Sequence, residues 1–129
     1  MKIRTGTDII EIERVKQSIE ETNGEFCKRV YTQEEIEYCE SKKIQKYQHY
    51  AARFAVKEAV FKAVSGLLTD KYSIAWKNIE TTNETSGRPK VEFVSITKKV
   101  EKELNKIQSI DISISHIKDT AVASVSILI

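Results

Sequence analysis

The first third of the chain shows a strand pattern followed by helical patterns of apolar residues. Residues 1–10 predict a short strand, which Gly6 interrupts. Apolar residues then recur at helical spacing, and residues 23–24 (Asn-Gly) predict the end of that helix. These apolar residues are Ile12, Val15 and Ile19. Thr32 followed by Glu35 is the signature of a capping box, so a second helix is expected to begin at this point.

The strongest helical signal covers residues 45–68, a stretch rich in alanine that ends near Gly66. At about 100° per residue, one broad side of this helix collects small and aliphatic residues and is expected to face the core. That side consists of Ala52, Ala55, Val56, Ala59, Val60, Ala63 and Leu67. The opposite side carries Phe54, Glu58, Phe61 and Lys62.

The second half of the chain has the period of strands, with one short helix between them. Residues 73–81 and 90–95 predict two strands joined by a turn, and residues 96–107 predict an amphipathic helix. Apolar residues then alternate over 110–114 and 121–127, which predicts a terminal hairpin with one buried face. Helices followed by strands indicate an α+β fold, in which one long helix packs on a mainly antiparallel sheet.

Composition limits the size and the partners of the protein. The 129 residues suffice for one compact domain, expected to span residues 1–129. A hydrophobic content of 40% and a charged content of 31% predict a buried core and exclude a disordered chain. The net charge of +2 is too small to indicate nucleic-acid binding by bulk electrostatics, so no nucleic-acid partner is expected.

The sequence predicts a cytoplasmic protein with no membrane partner. The N-terminus lacks the apolar run of a secretory signal, and the longest uncharged stretch, residues 120–129, is about half a membrane span. Cys27 and Cys39 fit neither a zinc spacing nor a disulfide framework, which is typical of two reduced thiols.

Glu58 and Lys62 place a carboxylate and an amine four residues apart on the non-core side of the long helix. One interpretation is an ordinary helical salt bridge, worth about 0.3–0.5 kcal/mol. The other is a binding face, because the flanking Phe54 and Phe61 would otherwise be exposed aromatic rings. Spacing alone does not separate the two interpretations.

Asp8 lies among the apolar residues of the first predicted strand, just after Gly6. It is either a turn residue or helix cap, or a carboxylate held at the edge of a sheet. In the second case Asp8 and Glu58 could together hold Mg²⁺, because magnesium sites need few protein ligands when substrate phosphates complete the shell.

Two loop segments carry a cation and a titratable group: residues 86–89 (Ser-Gly-Arg-Pro) and residues 115–116 (Ser-His). A turn rich in Gly and Ser can offer backbone N–H groups to a phosphate, although most such turns only reverse the chain. His116 on its own is more typical of a surface histidine than of a catalytic one. The sequence contains no P-loop, dinucleotide fingerprint or nucleophile elbow. The residues alone therefore predict at most a magnesium and phosphate site.

Two blocks closely resemble the signature blocks of bacterial holo-acyl-carrier-protein synthases, the small single-domain 4′-phosphopantetheinyl transferases. The first is Gly6-x-Asp8-Ile9, with Arg14 six positions after the aspartate. The second is Arg53-Phe54-Ala55-x-Lys57-Glu58-Ala59-x-x-Lys62-Ala63. Residues 30–35, 87–89 and 113–116 also resemble family segments and follow in the same order. The resemblance spans essentially the whole chain and implies the 4′-phosphopantetheinyl transferase-like fold.

The resemblance implies transfer of the 4′-phosphopantetheine arm of coenzyme A to a serine of apo-acyl carrier protein, with release of adenosine 3′,5′-bisphosphate. In matching positions, Asp8 and Glu58 would bind Mg²⁺ and Lys62 would stabilise the leaving group. One of the two carboxylates, or a water on the metal, would take the proton from the serine. The coenzyme A site would be lined by Arg53, Gly87, Arg88, Pro89 and His116.

The resemblance also implies a homotrimer with active sites between subunits, which would account for phenylalanines on the non-core side of the long helix. Arg14 would meet the acidic recognition helix of the carrier protein. Because residues 11–25 contain five glutamates, two arrangements stay open. In one, Arg14 and Lys16 face the carrier protein and the glutamates turn away. In the other, Lys28 and Arg29 supply the attraction.

Two other functions are compatible with the same residues. A non-catalytic module would bind coenzyme A or an acyl carrier protein without reacting, although it has no need of Asp8, Glu58 and Lys62 together. A Mg²⁺-dependent phosphohydrolase would release bisphosphate from coenzyme A with no carrier protein present.

Overall fold

The computed structural model describes residues 1–129. The helices are α1 (Ile12–Glu21), α2 (Glu25–Val30), α3 (Gln33–Ser41), α4 (Lys46–Val64) and α5 (Lys98–Leu104). The strands are β1 (Ile3–Glu11), β2 (Ile79–Asn83), β3 (Pro89–Phe93), β4 (Ser109–His116) and β5 (Thr120–Leu128). Short 3-10 helices occupy Lys43–Gln45, Ser65–Leu67 and Trp76–Asn78. No helix combines the length and the apolar character that crossing a membrane requires.

The main sheet is antiparallel, with three strands in the order β1-β5-β4. The predicted terminal hairpin is β4 paired with β5, and it is confirmed. Its buried face consists of alternate residues of β5: Ala121, Ala123, Val125 and Ile127. β2 and β3 form a separate two-stranded antiparallel sheet. Because α4 packs across the main sheet, the predicted α+β class with one long helix on an antiparallel sheet is confirmed as well.

The helix α4 buries the side that its periodicity predicts. Its core face is buried from Ala52 to Ala63, whereas Leu67, beyond the end of the helix, is only half-buried. The α-helix ends at Val64, and the 3-10 helix Ser65–Leu67 follows it and includes Gly66, near which the helix was expected to end.

Gly6 lies directly against the backbone of α4. The strand runs without interruption from Ile3 to Glu11, so the predicted break at this glycine is wrong. Gly6 pairs with Val125 of β5, and a Cβ at this position would overlap the carbonyl oxygen of Ala59. Two backbones packed this closely require glycine. The contact also fixes the distance of Asp8, two residues later, from α4.

A second core lies between the three N-terminal helices and the first half of α4. Its largest members include Val30, Tyr31 and Tyr50. Cys27 and Cys39 belong to it as buried free thiols. Burial raises the pKa of the Cys39 thiol to about 12.

The predicted capping box begins α3. Thr32 Oγ1 accepts a hydrogen bond from Glu35 N–H at 3.3 Å, and Glu35 Oε1 accepts one from Thr32 N–H at 3.0 Å. The reciprocal bonds satisfy two backbone donors that a helix start leaves free.

The predicted strand over residues 73–81 is wrong in its first half. Trp76–Asn78 is a 3-10 helix, and β2 begins only at Ile79. The side-chain Oδ1 of Asn78 accepts a hydrogen bond from Ala75 N–H at 2.8 Å. An asparagine that bonds to nearby backbone in this way favours a turn over a strand.

Candidate active site

Asp8 lies on the edge strand β1 and faces the C-terminal half of α4. The Lys62 ammonium donates hydrogen bonds to the carbonyl oxygen of Thr7 at 2.7 Å and to Asp8 Oδ1 at 3.4 Å. The alternative interpretation of Lys62, a helical ion pair with Glu58, is not formed. The sequence block that contains Asp8 and the block that contains Lys62 therefore meet in space.

Glu58 is half-buried on the same side of α4, and its hydrogen-bond partner is Trp76. The indole N–H of Trp76 donates to Glu58 Oε1 at 3.0 Å. The ring of Trp76 also packs on the ring of Phe54, with 6.1 Å between the ring centroids. The carboxylate is thus held by a side chain from the 3-10 helix and is flanked by aromatic rings.

Two cavities meet at Glu58. One, of about 330 Å³, is lined by Asp8, Arg14, Phe54 and Glu58 among others, and we call it the Asp8–Glu58 cavity. The other, of about 670 Å³, is more apolar and extends from Glu58 and Lys62 along Phe61. The two phenylalanines of the non-core side therefore line cavities instead of facing bulk water.

The Asp8–Glu58 cavity has donors that suit magnesium. Two carboxylates from different elements face one space, and their oxygens are the hard ligands that Mg²⁺ prefers. Neither this cavity nor any other part of the protein contains three or more His, Cys, Asp or Glu side chains arranged to hold a metal ion. Magnesium commonly takes only one or two carboxylates and completes its shell with water and substrate phosphates, so the donor set fits this ion.

Of the basic residues near α1, Arg14 lines the Asp8–Glu58 cavity. Lys16 lies over the ring of Tyr47 instead, with its Nζ 5.6 Å from the ring centroid. Lys28 and Arg29 are exposed on α2. Of these four basic residues, Arg14 is therefore the one that shares a cavity with the two carboxylates.

Arg53 and Gly87 belong to a different cluster. The Arg53 side chain is buried, lies 4.0 Å from the centroid of the Tyr38 ring and donates to Asn83 Oδ1 at 3.0 Å. Asn83 in turn donates to the carbonyl oxygen of Gly87 at 2.9 Å. The Nε of Arg53 is buried without a partner. This cluster borders a separate cavity of about 420 Å³.

Arg88 and His116 do not line the Asp8–Glu58 cavity. Arg88 is exposed and donates to Asp111 Oδ2 at 2.6 Å, and Pro89 next to it begins β3. This hydrogen bond raises the pKa of Arg88 and lowers the pKa of Asp111. His116 ends β4, exposed, with its ring centroid 6.5 Å from that of His49. Within one chain, the residues expected to bind coenzyme A are thus divided from the two carboxylates.

A buried ion pair next to the site was missed by the sequence patterns. Lys57 and Glu35 are both fully buried, with 2.8 Å between Nζ and Oε1. The Lys57 ammonium also donates to the carbonyl oxygens of Trp76, at 2.9 Å, and Ile79. Glu35 Oε2 accepts from Thr81 N–H at 2.9 Å. Burial lowers the pKa of Lys57, and the Glu35 carboxylate opposes that shift.

The sequence patterns indicated only part of the contacts around Lys57 and Glu58. The capping box identified Glu35 as a helix cap, but not as the partner of a lysine 22 residues away. No periodicity or motif identified Trp76, whose contact with Glu58 joins residues 18 positions apart.

Comparison with known proteins shows the family of the chain. Residues 4–125 match the family model of the 4′-phosphopantetheinyl transferase superfamily. A holo-[acyl-carrier-protein] synthase of Ruminiclostridium cellulolyticum is 44% identical over 123 residues, which cover 95% of this chain and 90% of that protein.

Solved structures of the same family have a similar fold. The crystal structure of holo-[acyl-carrier-protein] synthase from Neisseria meningitidis is similar at a TM-score of 0.81 and 26% identity, with 97% of each chain covered. That of the Helicobacter pylori enzyme in complex with coenzyme A gives a TM-score of 0.79 at 27% identity, over 96% of this chain and 99% of that chain. With the matching signature blocks brought together at one cavity, the chain belongs to the holo-[acyl-carrier-protein] synthase family of the 4′-phosphopantetheinyl transferase superfamily.

Proposed function

We propose that this protein transfers the 4′-phosphopantetheine group of coenzyme A to a serine of apo-acyl carrier protein and releases adenosine 3′,5′-bisphosphate. Membership of the family supports this activity. The observation that carries it in this chain is the meeting of Asp8, Glu58 and Lys62, from two separate elements, at adjoining cavities. Transfer of a phosphoryl group from a pyrophosphate to a hydroxyl depends on positioning and on positive charge near the phosphates. A metal ion held by the two carboxylates and the nearby ammonium would supply that charge.

Asp8 and Glu58 are the residues that would hold Mg²⁺. When bound, the ion supplies positive charge that polarises the pyrophosphate of coenzyme A and neutralises the charge developing on the leaving phosphate. Asp8 already accepts from Lys62, so its carboxylate is oriented before any ligand enters.

Three further roles, stabilising the leaving group, accepting the serine proton and binding the carrier protein, would fall to side chains of the site. Lys62, more than half exposed beside the larger cavity, would donate to the departing bisphosphate. One of the two carboxylates would accept the proton of the serine hydroxyl as its oxygen attacks phosphorus. Arg14, at the same cavity, would contact the acidic carrier protein and orient it over the carboxylates.

The division of the predicted coenzyme A residues supports a homotrimer with active sites between subunits. Arg53, Gly87, Arg88, Pro89 and His116 lie away from the Asp8–Glu58 cavity of the same chain. In an assembly, this group of one subunit would complete the carboxylate cavity of the next. We also propose that the protein acts in the cytoplasm, where coenzyme A is available and buried thiols stay reduced.

The test is an intact-mass assay of apo-acyl carrier protein incubated with the protein, coenzyme A and Mg²⁺, with an EDTA control. We expect one phosphopantetheine to be added only with free Mg²⁺. Asp8→Asn and Glu58→Gln should abolish the addition, whereas Glu101→Gln, an exposed carboxylate on α5, should leave it unchanged. Coenzyme A bound without transfer would instead indicate a binding module, and coenzyme A cleaved without carrier protein would indicate a hydrolase.

A further inference from the structure

Trp76 connects the buried ion pair to Glu58 through two hydrogen bonds. Its main-chain carbonyl accepts from the Lys57 ammonium at 2.9 Å, and its indole N–H donates to Glu58 Oε1 at 3.0 Å. Lys57 and Glu58 are adjacent residues of α4. Trp76 is therefore bound to this helix through both its backbone and its side chain. Neither contact is used by the transfer mechanism described above.

We propose that Trp76 is a positioning residue for the Glu58 carboxylate, and that the Lys57–Glu35 ion pair holds Trp76 in place by its main chain. The proposal rests on the proposed role of Glu58 as a magnesium ligand. An indole N–H can only donate, so it stabilises the ionised carboxylate and restricts its rotation. The indole N–H binds Oε1, so the second oxygen, Oε2, would be available to a metal ion.

Trp76 is half-buried and lines the larger cavity, and several contacts restrict its position. One face of its ring packs on Phe54, itself in contact with Phe26 at 5.9 Å between centroids. The carbonyl of Trp76 is bound by an ammonium that is fully buried. The 3-10 helix is closed by Asn78, which also donates to the carbonyl of Val94, the residue after β3. A donor fixed by its ring, its backbone and its helix can hold a carboxylate in one orientation.

Hydrogen bonds to metal-binding carboxylates affect how tightly the metal is held. Loss of such an outer partner typically weakens metal affinity or activity by about 10- to 100-fold. We therefore expect Trp76→Phe, which keeps an aromatic ring against Phe54 but removes the N–H, to raise the Mg²⁺ concentration for half-maximal transfer by about tenfold. The KM for coenzyme A at saturating Mg²⁺ and the melting temperature should stay close to those of the wild type.

The matched control is Lys77→Ala, an exposed neighbour in the same 3-10 helix. It should leave the Mg²⁺ dependence unchanged. A purely structural role of Trp76 would lower the melting temperature without moving the Mg²⁺ dependence, and that result in a folded Trp76→Phe protein would overturn the proposal.

A second measurement needs no change at position 76, because Trp76 is the only tryptophan of the chain. Mn²⁺ is paramagnetic and quenches indole fluorescence at short range. With coenzyme A present, Mn²⁺ should quench the emission of the wild type and of Lys77→Ala, and excess Mg²⁺ should restore it. Glu58→Gln should lose the response. The proposal would be contradicted if saturating Mn²⁺ supported phosphopantetheine transfer but left the emission of Trp76 unchanged, because the metal ion would then not lie near the indole.

The variants also separate this proposal from the one on which it rests. If Glu58→Gln keeps Mg²⁺-dependent transfer, the metal role of Glu58 is wrong and the positioning role falls with it. If Glu58→Gln is inactive and Trp76→Phe has the Mg²⁺ dependence of the wild type, only the positioning role is wrong.

Discussion

Asp8 and Lys62 lie 54 positions apart in the chain, and the ammonium Nζ lies 3.4 Å from the carboxylate Oδ1. The contact joins the edge strand β1 to the last turn of α4, and the same ammonium binds the carbonyl of Thr7 at 2.7 Å. These two bonds direct Lys62 away from Glu58, which lies one helical turn earlier in α4. The two carboxylates of the site keep separate partners, Lys62 for Asp8 and Trp76 for Glu58.

Replacing Lys62 should affect catalysis far more than stability. We expect Lys62→Gln to lower kcat by about 10²–10³-fold, the cost of removing one group that stabilises developing charge. Because the side chain is more than half exposed, its ion pair with Asp8 should contribute less than about 1 kcal/mol to the free energy of unfolding. Steady-state kinetics and urea unfolding check the two values. Lys99→Gln, the same change at an exposed position of α5, should alter neither.

Replacing Arg14 should weaken recognition of the carrier protein. We expect Arg14→Ala to raise the KM for apo-acyl carrier protein roughly fivefold, the equivalent of an exposed ion pair worth about 1 kcal/mol. The effect should be larger at low salt and absent from the KM for coenzyme A. Arg29→Ala, the matched change on α2, tests the other arrangement of basic residues. A larger increase with Arg29→Ala would place the docking surface on α2.

Adding a methyl group at Gly6 should separate β1 from α4. The new Cβ would overlap the carbonyl oxygen of Ala59, so the strand or the helix must move. We expect Gly6→Ala to cost about 1–3 kcal/mol of unfolding free energy and to lower activity, because Asp8 moves with the strand. Gly66→Ala is the control, since a Cβ there meets nothing within 4 Å. A Gly6→Ala protein with wild-type stability would show that the contact is not tight.

The buried ion pair should be strongly coupled. We expect Lys57→Met alone to cost about 3–5 kcal/mol of unfolding free energy, because it leaves the Glu35 carboxylate buried without its counter-charge. In Glu35→Gln/Lys57→Met no uncompensated charge is left, so the double variant should cost clearly less than the sum of the single ones. Denaturant unfolding of the four proteins measures the coupling. Additive costs would mean that the two groups act independently.

The cysteines should be unreactive in the folded protein. Burial raises the pKa of Cys39 to about 12 and also raises that of Cys27, so at pH 8 almost no thiolate is present to react. In the unfolded chain both pKa values return to about 8.5, and the thiols become reactive. Titration with an aromatic disulfide should find no rapidly reacting thiol in the native protein and two in guanidinium. Rapid labelling of the native protein would contradict the burial.

Several features of the molecule are determined by residues close together in the chain. The capping box of α3 needs only Thr32 and Glu35, and the hairpin of β4 and β5 follows from alternation within each strand. The core-facing side of α4 follows from its own 3.6-residue period. The signature blocks around Asp8 and Glu58 identified the candidate residues before their positions were known. Local spacing suffices in each case because the interacting groups belong to one element or one motif.

Other features depend on which elements meet. A helical wheel assigns α4 a single core side, and it leaves Lys57 outside that side. In the fold a second flank of α4 is covered by α3 and β2, so Lys57 is fully buried against Glu35. A glycine within a strand pattern, such as Gly6, suggests a break when only the sequence is considered. Its close packing against Ala59 involves a residue far along the chain, so no local pattern indicates it. The partner of Lys62 is 54 positions away in the chain, and the partner of Glu58 is 18 positions away. Contacts over such separations depend on tertiary packing and not on the periodicity of the sequence.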